Sequence, residues 1–174
     1  MPPGVPPILL FRTFVRNLPM AKAMGTWGTY ELSKRLSLSM RDREIIIDRT
    51  CARCGCEYEW GVHIAYFAGR VGLTSEQVTS LTHGSPATEC WSTGRDRVLI
   101  EVADSLHDTA QIDDELWGRL SAELTEAEID AVRLVSRHQL RGERGASGSR
   151  GRCPAVCRRA VIADGPLPSA AARR

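Results

Sequence analysis

Apolar positions at Phe11, Phe14, Val15 and Leu18 follow the i, i+3, i+4, i+7 spacing that lines one face of an α-helix, so a short helix ending near Pro19 is predicted. Residues 20–35 continue with Met20, Met24 and Trp27 as an apolar stripe among Lys22, Glu31, Lys34 and Arg35. Leu36-Ser37-Leu38 reads as a connection. Ser39 followed three residues later by Asp42 resembles a capping box with Asp in place of Glu, and Ile45, Ile46 and Ile47 supply a buried face beyond it, giving a helix from Met40 to about Cys54. Gly55 interrupts. Helical periodicity resumes from Glu57 to Arg70 through Trp60, Ile64 and Phe67 and stops at Gly72.

Thr74 with Gln77 opens a short helix carrying Val78 and Leu81, which halts at Gly84-Ser85-Pro86, and a loop runs on through Trp91. Val98, Leu99, Val102, Ala103 and Leu106 mark a strongly periodic helix. Asp113 caps one bearing Leu116, Trp117 and Leu120, and Thr125 with Glu128 caps another bearing Ile129 and Val132. No segment alternates as a strand would, and no repeat of solenoid length is present. The pattern predicts an all-α domain of about six to seven helices over residues 1–140. After Leu140 the chain turns to Arg, Gly, Ser, Ala and Pro, so residues 141–174 read as a disordered tail.

The 174 residues suit one domain, and 43% hydrophobic with 25% charged residues argues for neither a disordered nor a membrane protein. No run approaches the roughly 18 apolar residues of a membrane span, and Met1 to Pro7 lacks the features of a signal peptide, so a cytoplasmic protein is expected. The net charge of +2 hides an asymmetry. The tail holds eight Arg against Glu143 and Asp164, a net of +6, which leaves about −4 elsewhere. A basic patch confined to a tail is weak evidence for nucleic-acid binding, and none is expected.

In a reducing compartment the six cysteines argue for thiol or metal chemistry over structural bridges, because Cys51, Cys54 and Cys56 crowd together. On a helix starting near Glu57, Glu59 and His63 fall within roughly 60° of the Cys56 direction, so the three can line one pocket. Glu44 joins them if the two helices fold back at Gly55. A helix N-terminus favours a thiolate at Cys56, while Glu59 one turn on opposes it. His63 between carboxylates suits proton transfer near neutral pH, with Glu44 or Glu59 fixing its tautomer. The plainer alternative is that Glu59 and His63 form an ordinary side-chain pair on a solvated helix face.

Zinc held by Cys51, Cys54, Cys56 and His63 is not expected, because structural zinc sites draw on two separated ligand pairs. Cys51 and Cys54 read first as small buried helix residues, and Tyr58 and Trp60 as wall or core residues. His83, His107 and His138 have no ligand-like spacing, and Cys153 and Cys157 lie in the tail without a charge partner.

The run Leu38-Ser39-Met40-Arg41-Asp42-Arg43-Glu44, followed by Cys56-Glu57-Tyr58-Glu59-Trp60-Gly61-Val62-His63, resembles the signature of the carboxymuconolactone decarboxylase family, within the alkylhydroperoxidase-D-like superfamily. Ala68-Gly69-Arg70-Val71-Gly72-Leu73-Thr74, the Ala103-Asp104-Ser105-Leu106-His107-Asp108 helix end and the Trp117 helix follow in the expected order, so the resemblance covers about residues 10 to 138. It implies a helical fold assembled into homotrimers or hexamers with pockets near subunit contacts. Glu44, Cys56 and His63 match the superfamily's motif, while its second cysteine is replaced by Glu59. Relatives continue with an apolar final helix after the position of His138, where this chain turns into its tail.

Three readings of function follow. In the first, His63 with Glu44 and Glu59 performs acid–base chemistry on a small substrate, as a decarboxylase or lactone-processing enzyme would, with no organic cofactor and no metal. In the second, Cys56 attacks a hydroperoxide and Cys51 or Cys54 resolves the sulfenic acid, a peroxiredoxin-type antioxidant activity. In the third, a non-catalytic oligomer binds acidic partners through its tail.

Overall fold

The computed structural model describes residue 7 and residues 9–146. The expectations for residues 147–174, with Cys153 and Cys157, lie outside them. Among the described residues every regular element is helical. The chain divides into two units, residues 1–36 and 37–174.

The first unit contains α1 (Leu9–Phe14) and α2 (Leu18–Glu31). Pro19 does not end the first helix but opens the second: the Asn17 side chain accepts from the Met20 N–H, and a proline in the first turn forfeits no intrahelical hydrogen bond. The stripe at Met20, Met24 and Trp27 is exposed.

In the second unit α3 (Met40–Cys54) is central, packing against α4 (Glu57–His63), α5 (Ser75–His83), α6 (Gly94–Asp108) and α8 (Glu126–Ala146), with α7 (Asp114–Glu123) against α6 and α8. Residues 42–51 are buried without a break. Three successive isoleucines, Ile45 to Ile47, point in three directions around the helix, so α3 has no solvent face along this stretch. They pack in a core with Leu81, Leu99, Val102, Leu120, Val132 and Val135. Trp91, fully buried in the loop before α6, donates from Nε1 to Ser80 Oγ at 2.9 Å. Helix α8 runs to Ala146, past the Leu140 boundary drawn from composition. No described helix is long and apolar enough to cross a membrane.

The anticipated caps form. Ser39 accepts from the Asp42 N–H, Thr74 and Gln77 make a reciprocal capping box, and Asp113 accepts from the Leu116 N–H. Thr125 and Glu128 likewise bond each other's backbone N–H groups. The expected helix from Glu57 to Arg70 is not uniform: α4 ends at His63, and Ile64–Ala68 form a π-helical turn.

Helix α3 closes on Gly55 at φ 71°, ψ 25°, where the Cys56 N–H reaches back to the Cys51 carbonyl at 2.9 Å. A Cβ here would meet no atom within 4 Å, so a substitution is strained by the left-handed backbone alone. Gly55→Ala is expected to cost about 1–2 kcal/mol in chemical denaturation. A change under about 0.3 kcal/mol would show that the turn relaxes out of this conformation.

Candidate active site

A helix buried all round must pair every charge it carries, because an isolated ion away from water is heavily penalised. Most of the charges on α3 obey this. Asp42 accepts from Arg95 of α6, and Arg49 forms a two-pronged pair with Asp104 of the same helix. Arg43 donates from Nε and Nη2 to Glu44 Oε1, at 2.8 and 2.6 Å. Asp48 is the exception: it is 1% exposed, and neither carboxylate oxygen has a hydrogen-bond partner.

The reversal at Gly55 returns α4 along α3, and His63 at the end of α4 meets Glu44. Its Nδ1 lies 2.7 Å from Glu44 Oε2. The Nδ1–H tautomer donates to Glu44 Oε2 and leaves Nε2 as the nitrogen open to chemistry. Side-chain exposure is 0% for Glu44, 3% for Arg43 and 11% for His63, so the imidazole is the member of this trio that reaches solvent. Phe67, from the π-helical turn, covers the group. Its ring centroid lies 5.4 Å from that of His63 and 5.3 Å from the Arg43 guanidinium carbon, with Arg70 at 5.9 Å.

Of the other candidates, Cys56 is half-buried at the residue that starts α4, and its side chain does not cap that helix. Glu59 is half-buried one turn before His63 and makes no hydrogen bond or ion pair with it. The carboxylate that fixes the imidazole is thus Glu44's. Cys51 is fully buried and Cys54 half-buried on α3. A surface cleft where α3 and α6 begin, lined by Arg41, Asp42, Gln77, Thr93, Arg95 and Asp96, includes none of these residues.

Asp48 and Arg43 were not singled out from sequence. The available signal was spacing: Asp48 follows Glu44 by four residues, placing two carboxylates on one face of a helix whose isoleucines mark it as buried. Glu44, Asp48 and His63 each bring an oxygen or nitrogen atom to within 4.8 Å of the others. These are types that can hold a divalent cation. Here, however, Glu44 and His63 stand at hydrogen-bond distance, closer than the roughly 2.9 Å between neighbouring ligands of an octahedral ion, and Arg43 already supplies a positive charge.

Burial pushes the Asp48 carboxyl well above the usual carboxylate range, and the Glu44 charge pushes it the same way. As pH rises through about 4, the unfolded chain releases this proton while the folded chain keeps it, so Asp48 lowers stability with rising pH until its folded-state value is passed. Asp48→Leu, close in size and without the orphaned oxygens, is expected to stabilise the protein by about 1–3 kcal/mol at neutral pH. Asp48→Asn should flatten the fall in stability between acid and neutral pH. Urea unfolding across that range checks both, and a destabilised Asp48→Leu would mean that the carboxyl is satisfied in solution.

The carboxymuconolactone decarboxylase family model matches residues 19–92, the stretch that holds α3, α4 and the Glu44–His63 pair. The fold is shared with the crystal structure of a protein of unknown function from Agrobacterium tumefaciens, suggested to be an antioxidant defence protein AhpD. The TM-score is 0.67 at 20% identity, over 82% of this chain and 95% of that one. No curated protein matches the chain by sequence. The family signature thus lies on α3 and α4, and the helical fold around it is similar to that of the Agrobacterium tumefaciens protein.

Proposed function

We propose that the chain is an acid–base enzyme acting on a small carboxylated lactone or a similar acid, with His63 transferring the proton and Glu44 holding His63. The observation behind this reading is the buried 2.7 Å contact between Glu44 and His63, with Arg43 bonded to the other Glu44 oxygen. When a carboxylate leaves such a lactone as CO2, the carbon–carbon bonding pair passes into the ring and onto the lactone carbonyl. The enolate formed then takes a proton at carbon. A His63 imidazolium, stabilised by the Glu44 carboxylate, supplies that proton and recovers it from water. Cys56 and Glu59, both on the stretch that leads into His63, are the groups we place around the substrate.

The reading rests also on a replacement. Where alkylhydroperoxidase-D-like relatives carry a second cysteine, this chain has Glu59, which cannot form the disulfide of a dithiol cycle. The competing thiol route would run through Cys56 and a resolving cysteine at 51 or 54.

Release of CO2 from a carboxymuconolactone by the purified chain tests the proposal. Turnover is expected to persist in Cys56→Ser and to be lost in His63→Ala. Consumption of an alkyl hydroperoxide that disappears in Cys56→Ser, without CO2 release from the lactone, would replace it by the antioxidant reading. We further propose a cytoplasmic homo-oligomer, a trimer or hexamer, in keeping with the exposed apolar side chains of α1 and α2. A monomer by light scattering would refute this.

A further inference from the structure

We propose that Asp48 is a third, buried proton-binding member of the Glu44–His63 site, coupled through charge to His63. The proposal rests on that site being an acid–base site, but it can be tested without any substrate.

The argument starts from charge. Arg43 and Glu44 cancel, bonded to each other at 2.6 Å inside the protein. What remains is one imidazole and one carboxyl, with their nitrogen and oxygen atoms in a cluster spanning no more than 4.8 Å. Two arrangements leave the cluster neutral: an uncharged carboxyl beside an uncharged imidazole, or a carboxylate beside an imidazolium. They differ only in the position of one proton. With no proton the cluster holds an uncompensated anion, and with two it holds an uncompensated cation, both costly where water is excluded. The charge on one group therefore bears on the charge of the other.

The orphaned oxygens of Asp48 point the same way. No described donor reaches them, so a lasting charge on Asp48 would have only an imidazolium to balance it. Burial and the Glu44 charge favour the protonated carboxyl. The remaining ionisable groups where α5, α6 and α8 meet α3 bond one another: Arg41 with Asp96, Asp42 and Glu128 with Arg95, and Arg49 with Asp104. From α4 His63 enters the cluster, with Glu59 half-buried one turn before it, and beyond the π-helical turn Arg70 lies 5.9 Å from the Phe67 ring.

For the site this means that His63 can pass between base and acid without a change in net buried charge. A proton gained by the imidazole from the substrate is offset by one lost from Asp48 to solvent, and the reverse transfers restore the starting pair. Asp48 is a positioning residue here, acting through His63 from a position 1% exposed.

The test is an NMR titration of the His63 imidazole in the full chain, for the native sequence, Asp48→Asn and Asp48→Leu, with catalysis measured in parallel. In the native chain the imidazole is expected to titrate in two steps, the upper one in register with the Asp48 carboxyl carbon. Both variants should lose the upper step and titrate as a single proton. A His63 curve of the same shape and midpoint in all three overturns the proposal, even if Glu44→Gln and His63→Ala abolish turnover. Loss of the upper step in both variants upholds it, even if those two substitutions leave turnover intact and the acid–base reading of function fails.

Discussion

Replacing Glu44 by Gln is expected to lower turnover about 10²- to 10⁴-fold, and replacing His63 by Ala by a similar factor, the range assigned to a positioned proton-transfer group. The two losses should not add. Each substitution removes the same pair, whose atoms meet at 2.7 Å, so the double variant should fall little below either single one. Gln keeps the size of Glu44 but brings an amide that neither matches Arg43 in charge nor stabilises an imidazolium. Turnover should therefore fall in Glu44→Gln while substrate affinity changes little. Steady-state kinetics of CO2 release over a pH series is the measurement, and strictly multiplicative losses would show that the two residues act separately.

On stability, the largest expected effect is at Arg49. This guanidinium is 4% exposed and joins three elements: it grips Asp104 of α6 with two parallel bonds of 2.7 and 2.8 Å, and its Nη1 donates to the carbonyls of Leu81 at 2.9 Å and Gly84 at 3.2 Å. Those carbonyls lie at the C-terminal end of α5, where the helix has no N–H groups left to offer them. Arg49→Leu would strand both carbonyls and leave Asp104 only its longer contact with Arg53, at a cost of about 3–5 kcal/mol, enough to unfold a domain of ordinary stability under mild stress. Arg49→Lys keeps the charge but not the fork and should fall between. The internal contrast is Arg53, one turn on and 35% exposed, which also reaches toward Asp104 and Asp108. Arg53→Ala should cost no more than about 1 kcal/mol. Chemical denaturation of the three variants decides the matter, and equal losses at 49 and 53 would contradict it.

The unpaired hydroxyls of Thr50 and Ser136, both buried, differ in kind from Asp48. A neutral hydroxyl costs far less to bury than a carboxylate and holds no proton that the site could use. Asp48 earns its place in the site by charge and by proximity to Glu44 and His63 together.

Helix positions were legible in the sequence because the information is local. Ser39, Thr74, Asp113 and Thr125 each bond a backbone N–H three residues on, and Gly55 ends α3 through its own φ angle. Pro19 was misplaced because the same fixed φ that breaks a helix interior suits a first turn, and the choice depended on the Asn17 cap. The resemblance in residues 38–63 drew attention to Glu44 and His63, and spacing put Glu59 near them, but spacing could not say which carboxylate turns inward. That choice was tertiary. Nineteen residues separate Glu44 from His63, and 55 separate Arg49 from Asp104, and such pairs exist only once α3 is enclosed by its neighbours. The sequence by itself determined the helices, their ends and the chemical types available to a site. Enclosure of α3 decided the rest: removing water from a helix that carries Asp42, Arg43, Glu44, Asp48 and Arg49 forces each charge to find a partner or a proton, and which of these it finds depends on what packs against it.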